Sequence, residues 1–478
     1  MPTPPATRSD RLLSVSVVTL GCPKNQVDSE VMQGLLERDG FRLIDEPERA
    51  EVVVVNTCGF IDQAKEESID TIVRLAKLKR SGKCRVLIAT GCLTQRYAGD
   101  LLKEIPELDG VTGTGDFQKI AEICRERLKS RRGQISNLSP DEKGTTTIPV
   151  SFTEHMAFLY DEATPRRRIG PKHSAYVKVS EGCNYRCSFC AIPSFRGDLK
   201  SRPIESVVRE VEQLGSEGVK EINLIAQSLT SYGWDWRQSG EKRDDGALVR
   251  LLKKLAPIGG VEWIRLFYTY PTDFTEPLIE LLANERKLCR YVDLPLQHIN
   301  DRLLKAMNRK GTKRDIEQLI ARLRKAIPGL TLRTTFIVGF PGEGEAEVEE
   351  LEEFIRATGF DRIGVFTYSP EDGTTALPLG DPVSAEEKVE RRQRLMDLQE
   401  EIAGERLAAM IGQPLRVLVD GPSEVDHDKR WEARHEGQAP EIDGVVLLEK
   451  SKKKPSPGDL VTVEITDVEG YDLIGRVM

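Results

Sequence analysis

Three times in its first hundred residues the chain runs through a short apolar strand, meets a cysteine beside a glycine, and passes into a helix-forming stretch. Ser14–Leu20 leads to Cys22 in Gly-Cys-Pro-Lys-Asn. Glu51–Thr57 leads to Cys58 in Asn-Thr-Cys-Gly-Phe. Arg85–Thr90 leads to Cys92 in Ala-Thr-Gly-Cys-Leu. Runs such as Val52–Val55 are apolar on both faces, which suits a strand covered on both sides in a parallel sheet. Helices are expected over Asp28–Asp39, from the second cysteine to Arg80, over Thr94–Glu104 and, after a strand at Val111–Gly115, over Phe117–Lys129. This βαβα alternation predicts an open parallel α/β sheet over residues 12–128. The cysteines lie 36 and 34 residues apart, one βαβ repeat each. All three therefore fall on the carboxyl rim of the sheet, where open α/β folds bind ligands. The alternative is that they are ordinary buried thiols. Cys84 opens a strand, Cys124 lies in a helix and Cys289 lies near a helix end; these three read as structural.

A second strand–helix series follows. Strands are expected at Ala175–Val179, Glu221–Ala226, Trp263–Tyr268, Tyr291–Leu296, Leu332–Val338 and Arg362–Tyr368. The helices between them are Ile204–Glu217, Ala247–Leu255, Glu276–Glu285, Asp315–Ala326 and Ala346–Ala357, and a long charged helix runs from Ala385 to Ile411. Six βα units over residues 173–400 predict an incomplete barrel, with its chemistry at the carboxyl ends of the strands. Directly after the first strand stands Cys183-Asn-Tyr-Arg-Cys187-Ser-Phe-Cys190. Three thiolates on one loop can hold three corners of a cubane iron–sulfur cluster and leave one iron open. A zinc knuckle is the alternative, but it wants a fourth protein ligand nearby. Gln227, Ser228, Tyr270, Gln297, His298, the Gly339–Glu343 turn and Ser369 fall on the same rim. His298 by itself reads more readily as a structural histidine.

Short strands at Leu415–Val419, Val445–Leu448, Leu460–Ile465 and Asp472–Met478, separated by glycine and proline turns, predict a small β-barrel over residues 411–478. That segment carries nine basic and fourteen acidic residues. A nucleic-acid-gripping barrel should be positive, so this one better suits a basic protein partner. The whole chain is also acidic, with a formal charge of −8. Between the first two domains, residues 129–172 form a linker with basic Lys129–Gly133, polar Ser136–Thr147 and a run at Arg166–Arg168 that reads as a solvated face or a docking patch. Met1–Arg11 lacks the apolar core of a secretory signal and is expected to be a disordered lead-in. No run of 18 apolar residues offers a membrane span. Nine cysteines without a secretion signal point to thiols in a reducing cytoplasm rather than disulfides.

The loop Cys183-x3-Cys187-x2-Cys190 after a strand, with Phe189 beside its last cysteine, resembles the radical S-adenosylmethionine (SAM) superfamily. Together with Cys22, Cys58 and Cys92 upstream and the β-rich tail, which is similar to the OB-like TRAM module, the chain resembles the methylthiotransferases over nearly its whole length. The wording around Gly170–Cys183 and the acidic tail are similar to the branch that modifies small-subunit ribosomal protein twelve. The resemblance implies a transferase with two 4Fe-4S clusters, one on Cys183, Cys187 and Cys190 that binds SAM and one on Cys22, Cys58 and Cys92 that carries the sulfur to be inserted. One SAM would methylate that sulfur. A second would yield a radical that removes a β-hydrogen from an aspartate of the ribosomal protein. Phe189, Gln297 and Arg333 are the candidate SAM contacts. A monomer acting in the cytoplasm with an electron donor such as a flavodoxin-type protein is expected, with tRNA disfavoured as a partner. Two alternatives stay open: a tRNA methylthiotransferase acting on a modified adenosine, and a non-catalytic iron–sulfur sensor. One departure is visible, since Gln227-Ser228 stands where the family usually has Gln-Asp.

Overall fold

The structure is a computed structural model that describes residues 12–133, 150–151, 158–236, 244–423, 430–450 and 455–478. The expected lead-in at 1–11 and the polar linker stretch 136–147 lie outside the described residues. Two compact units divide the chain, Met1–Ile169 and Gly170–Met478.

In the first unit, β1 (Ser14–Thr19), α1 (Pro23–Arg38), β2 (Arg42–Leu43), β3 (Val52–Thr57), α2 (Asp62–Ala76), α3 (Leu78–Ser81), β4 (Val86–Gly91), α4 (Cys92–Glu104), β5 (Gly110–Thr112), α5 (Ile120–Gly133) and β6 (Val150–Ser151) follow in sequence. The strands form one parallel sheet in the order β2-β1-β3-β4-β5-β6. β3 and β4 are buried at every residue, as expected of central strands covered on both faces. α1 departs from a simple amphipathic helix, because its first two turns bury Lys24, Asn25, Asp28, Ser29 and Glu30. Glu30 is held by Arg166, with Nε at 2.6 Å and Nη2 at 2.5 Å, and it accepts the Ile169 amide at 3.0 Å. The last part of the linker is thus strapped across α1. It passes so close that a Cβ on Gly34 would stand 2.4 Å from the Pro165 carbonyl carbon. The basic run is therefore not uniformly a solvated face: Arg166 is buried in this ion pair, while Arg167 reaches the exposed Glu37.

The second unit contains β7 (Ser174–Lys178), β8 (Ser180–Glu181), α6 (Ile192–Arg196), β9 (Lys200–Ser201), α7 (Ile204–Ser216), β10 (Glu221–Ile225), α8 (Ala247–Leu255), β11 (Trp263–Leu266), α9 (Glu276–Asn284), β12 (Leu288–Asp293), α10 (Asp301–Ala306), α11 (Lys313–Ala326), β13 (Thr331–Val338), α12 (Glu345–Thr358), β14 (Arg362–Thr367) and α13 (Ala385–Ala408). Six strands make an open parallel sheet, β14-β13-β12-β11-β10-β7, and β8 pairs with β9 in a small hairpin. An aliphatic core runs along it from Val177 through Leu224, Ile264 and Val292 to Leu332 and Val365. The fourth strand ends earlier than its apolar run suggests: Pro295 has no amide to donate, and the regular ladder stops at Asp293. Cys289 is correspondingly a buried strand residue rather than one near a helix end.

β15 (Pro414–Pro422), β16 (Trp431–His435), β17 (Val446–Leu448), β18 (Leu460–Glu469) and β19 (Asp472–Val477) close into a barrel in the order β15-β16-β17-β19-β18. Four of these strands are legible in the sequence. β16 is not, because it is short and two of its three buried residues, Arg434 and His435, are polar. Arg434 docks the barrel onto the amino ends of the central strands. Its guanidinium makes a bidentate pair with Glu221 (2.9 and 3.1 Å) and bonds Asp420 at 2.8 and 2.9 Å. Arg265 completes the cluster at 3.0 Å from Glu221, and His173 lies 2.9 Å from Asp420.

His435 is buried in the same interface. Burial first, then the charges of Arg362, Arg265 and Arg434, push its pKa down to about 3. An unfolded histidine titrates near about 6.5, so between these values the unfolded chain binds a proton that the folded one does not. Stability is therefore full above about pH 6.5 and falls as the pH drops toward 3. By pH 5 the loss is about 2 kcal/mol. Chemical unfolding of the wild type and His435→Gln at pH 7 and pH 5 should show this loss shrinking in the variant; equal losses in both would clear His435 as its source.

Candidate active site

The first cysteine set sits where the parallel strands end. Cys22 immediately precedes α1, Cys58 follows β3, and Cys92 follows β4 as the first residue of α4. Asn25, one turn into α1, draws these ends together. Its Nδ2 donates to the Leu20 and Thr57 carbonyls, both at 3.0 Å, and its Oδ1 lies 3.7 Å from the Cys92 thiol. Asn56 in turn donates to the Asn25 carbonyl at 2.8 Å. Ser68 of α2 clasps Cys58 through both its amide and its carbonyl at 3.0 Å. The loops are in van der Waals contact: a Cβ on Gly21 would lie 3.0 Å from the Cys58 sulfur, and one on Gly59 would lie 2.7 Å from the Leu93 amide. Gly91 adopts φ +102°, and a side chain there would meet the Asn56 and Thr57 oxygens at 2.5 Å. Only glycine accepts both constraints.

The second set lies on the loop after β7. Gly182, with φ +76° and only 2.1 Å between its virtual Cβ and the Asp198 carbonyl oxygen, turns the chain out of the β8–β9 hairpin into Cys183. The loop is then tied to the end of α10. Asn308 takes a left-handed backbone, φ +53°, and the Asn308 and Arg309 amides return to the Lys305 and Leu304 carbonyls; this is a Schellman-type helix end. The remaining carbonyls there receive Ser188, through its hydroxyl to Ala306 (2.8 Å) and its amide to Met307 (2.9 Å). Tyr185 stacks on Tyr270 with ring centroids 3.7 Å apart and donates to Asp273 at 2.6 Å. Arg309 lies over the Tyr270 ring at 4.1 Å and points Nη1 at the Cys187 sulfur, 3.8 Å away.

The two cysteine sets fit iron–sulfur clusters in donor chemistry. All six cysteines are free thiols. Burial pushes Cys183 up to about 11 and Cys190 up to about 12; Cys187 adds to both rises and Cys183 to that of Cys190, while Arg186 opposes the first and Arg309 opposes both. The three sulfurs therefore share one electrostatic environment, and metal binding must displace their protons. Among the described residues no three such ligands close on a single-ion position. A cubane offers a separate iron to each thiolate, so its ligands stand around a volume rather than a point.

The other expected residues fall as follows. Phe189 is half-buried against the cluster of Leu303, Met307, Phe340, Tyr368 and Ala376. Gln297 sits at the mouth with a left-handed backbone, φ +76°, and bridges to β13 through the Thr335 carbonyl and the Ile337 amide, both at 2.8 Å. A non-glycine residue held in this region is strained, and such positions gather at functional sites. Arg333 is five residues before the end of β13, where its guanidinium pairs with Asp293 at 3.0 Å and approaches Asp443 of the C-terminal barrel at 3.8 Å. Asp293 uses its other oxygen to hold the Tyr268 amide at 3.0 Å. Gln227 bonds Glu181, whose carboxylate is buried. Burial opposes that charge, yet Lys178 and Arg196 outweigh it and hold Glu181 well below the usual carboxylate range. Ser228 bonds Ser231 at 2.9 Å, and Ser231 with Thr230 faces Asp273. Ser228 is thus linked through Ser231 to the Asp273 carboxylate on the loop after β11. His298 is structural: its Nδ1 accepts the Ile299 and Asn300 amides. Asn25 and Arg309 are the residues the sequence reading misses. A polar residue three positions past Cys22 in a helix with little amphipathic pattern was a usable signal for Asn25; nothing local marks Arg309.

Three family models match the chain: the Radical SAM superfamily over residues 177–355, Uncharacterized protein family UPF0004 over 14–113 and the TRAM domain over 411–478. The ribosomal protein uS12 methylthiotransferase RimO of Desulfitobacterium hafniense (strain Y51) is 48% identical over 97% of this chain and 98% of its own length. The protein of the same name from Geobacter sulfurreducens is 44% identical over the same shares. Among solved structures, the radical S-adenosylmethionine methyltransferase TsrM of Kitasatospora setae superposes with a TM-score of 0.52 at 17% identity, covering 74% of this chain and 73% of that one, which is a likeness of fold. With near-complete alignment to such relatives and all three modules in order, the chain belongs to the radical SAM family of ribosomal protein uS12 methylthiotransferases.

Proposed function

We propose that this chain inserts a methylthio group at the β-carbon of an aspartate in ribosomal protein uS12. The observation that carries the reading is the pair of three-cysteine sets, each gathered at the carboxyl ends of parallel strands, in a chain aligned nearly end to end with uS12 methylthiotransferases. When bound, SAM and two 4Fe-4S clusters supply the one-electron chemistry that removes hydrogen from an unactivated carbon and the sulfur that replaces it. The chain does the rest. Cys183, Cys187 and Cys190 give three ligands from one loop, so one coordination position there is left for SAM. Cys22, Cys58 and Cys92, from three loops fixed by Asn25, would give three ligands to the second cluster and leave its open position for the sulfur to be inserted. Gln297 at the mouth and Phe189 beside Cys190 face SAM, and Arg333 acts on that rim from below through Asp293 and the Tyr268 amide. Preorganised loops of this kind replace the cost of ordering at the moment of reaction. Asp420, Asp443 and Arg434 serve the internal dock, and the acidic surface that remains on the C-terminal barrel attracts a basic ribosomal protein. A flavodoxin-type protein supplies electrons, and the chain works as a cytoplasmic monomer.

Anaerobic incubation with SAM, a reductant and either ribosomes or tRNA tests the assignment. A methylthio mass gain on uS12 and the appearance of 5′-deoxyadenosine are expected. A gain on tRNA alone would replace the substrate, and clusters without any 5′-deoxyadenosine would make the chain a sensor.

A further inference from the structure

Arg309 is the one cation in the described barrel mouth whose side chain is aimed at a cluster-loop sulfur. Its position is built rather than incidental. The left-handed Asn308 ends α10 and redirects the chain, and the Arg309 amide is fixed to the Leu304 carbonyl at 2.8 Å. The guanidinium is then clamped on two further sides, over the Tyr270 ring at 4.1 Å and hydrogen-bonded through Nη2 to the Pro295 carbonyl. Tyr270 is itself fixed by the Tyr185 stack at 3.7 Å, and its hydroxyl accepts the Lys310 amide at 3.0 Å. The other terminal nitrogen, Nη1, reaches the Cys187 sulfur at 3.8 Å. Arg186, the neighbouring cation, is 53% exposed and paired with Asp198, so solvent screens its charge.

We propose that Arg309 sets the reduction potential of the cluster held by Cys183, Cys187 and Cys190, raising it through its charge and its N–H···S contact. The proposal rests on the cluster assignment above. Reduction adds one negative charge to the cluster. A fixed cation and a donor at a ligating sulfur stabilise that charge, and hydrogen bonds to sulfur and local net charge are the levers that tune such centres. The aromatic clamp keeps the fork in place, so no reorientation is needed when the electron arrives. Arg309 is a positioning and tuning residue: it makes no bond in the reaction, and its effect is to keep the cluster within reach of a biological donor.

The test is a redox titration followed by electron paramagnetic resonance in the full chain carrying Cys22→Ala, Cys58→Ala and Cys92→Ala, so that one cluster is read. At a fixed poise Arg309→Met should lower the ratio of reduced to oxidised cluster about tenfold, equal to about 59 mV for one electron, with iron content unchanged. Arg309→Lys should fall less, since it keeps the charge and loses the planar fork. An unaltered ratio in Arg309→Met with iron retained would overturn the proposal. So would equal loss of iron from both variants, which would make Arg309 a brace for the loop. A parent protein that holds no iron on these cysteines would instead overturn the cluster assignment itself.

Discussion

Replacing Cys22, Cys58 and Cys92 together by alanine abolishes the methylthio product and leaves 5′-deoxyadenosine formation in place. The expectation follows from where the sulfurs stand. Cys22, Cys58 and Cys92 belong to the first unit and the loop of Cys183, Cys187 and Cys190 to the second, and each set has its own supporting contacts: Asn25, Asn56 and Ser68 in one, α10, Tyr185 and Asp273 in the other. Cys58 and Cys92 are buried, yet truncation to alanine removes one sulfur at each site, and Asn25 keeps its two carbonyl partners without the Cys92 contact. The fold of the first unit should survive with a loss of a few kcal/mol at most. Iron content should fall by half. Mass spectrometry of uS12 should show no methylthio gain above background, whereas chromatography of the small molecules should still show 5′-deoxyadenosine. The reciprocal variant, Cys183→Ala with Cys187→Ala and Cys190→Ala, should lose both. Normal product from the first variant would remove the second cluster from the mechanism; loss of 5′-deoxyadenosine from it would mean that the two loops are not independent.

Much of this arrangement is legible in the sequence because it depends on periodicity and on cysteine spacing. Central strands such as Val52–Thr57 and Val86–Gly91 are buried throughout and open on apolar runs, and the cysteines that follow them lie on the carboxyl rim. What escapes is whatever depends on polar groups buried against each other. Trp431–His435 is a strand because Arg434 finds Glu221 and Asp420, 213 and 14 residues away in sequence, and no local pattern reports that pairing. Arg333 is a similar case. The family resemblance offers it as a SAM contact, and no local pattern reports that Asp293 and Asp443 lie against its guanidinium. Very short strands, Arg42–Leu43 among them, carry too few residues to show a period. The short helix Asp301–Ala306 and its Asn308 cap are equally silent until the cysteine loop is seen resting on them.

Arg434→Met should destabilise the second unit by about 3–5 kcal/mol, a fall of roughly 10 °C in its thermal midpoint. Methionine fills the space of the arginine stem, so the loss measures charge rather than volume. Glu221 and Asp420 are then left in the interface with Arg265, Ser174 and His173 beside them, and a buried carboxylate short of positive charge is costly. The pH dependence gives the sign. Burial raises the Glu221 pKa, but Arg434 and Arg265 outweigh it and hold the group down at about 2. In the wild type the stabilisation is therefore complete above the ordinary carboxylate value of about 4 and disappears only as the pH falls toward 2. Without Arg434 the folded-state pKa rises, so the deficit is largest at neutral pH and narrows on acidification as Glu221 becomes protonated. Glu221→Gln combined with Arg434→Met should recover part of the loss, because the amide carries no charge to strand. Guanidinium unfolding of the four proteins of this cycle, at pH 7 and pH 4.5, measures each term. If Arg434→Met costs under 1 kcal/mol at pH 7, or if the double variant is as unstable as the sum of the singles, the charge cluster does not hold the C-terminal barrel on the central sheet, and the aliphatic contacts around Leu407 and Val417 must do so.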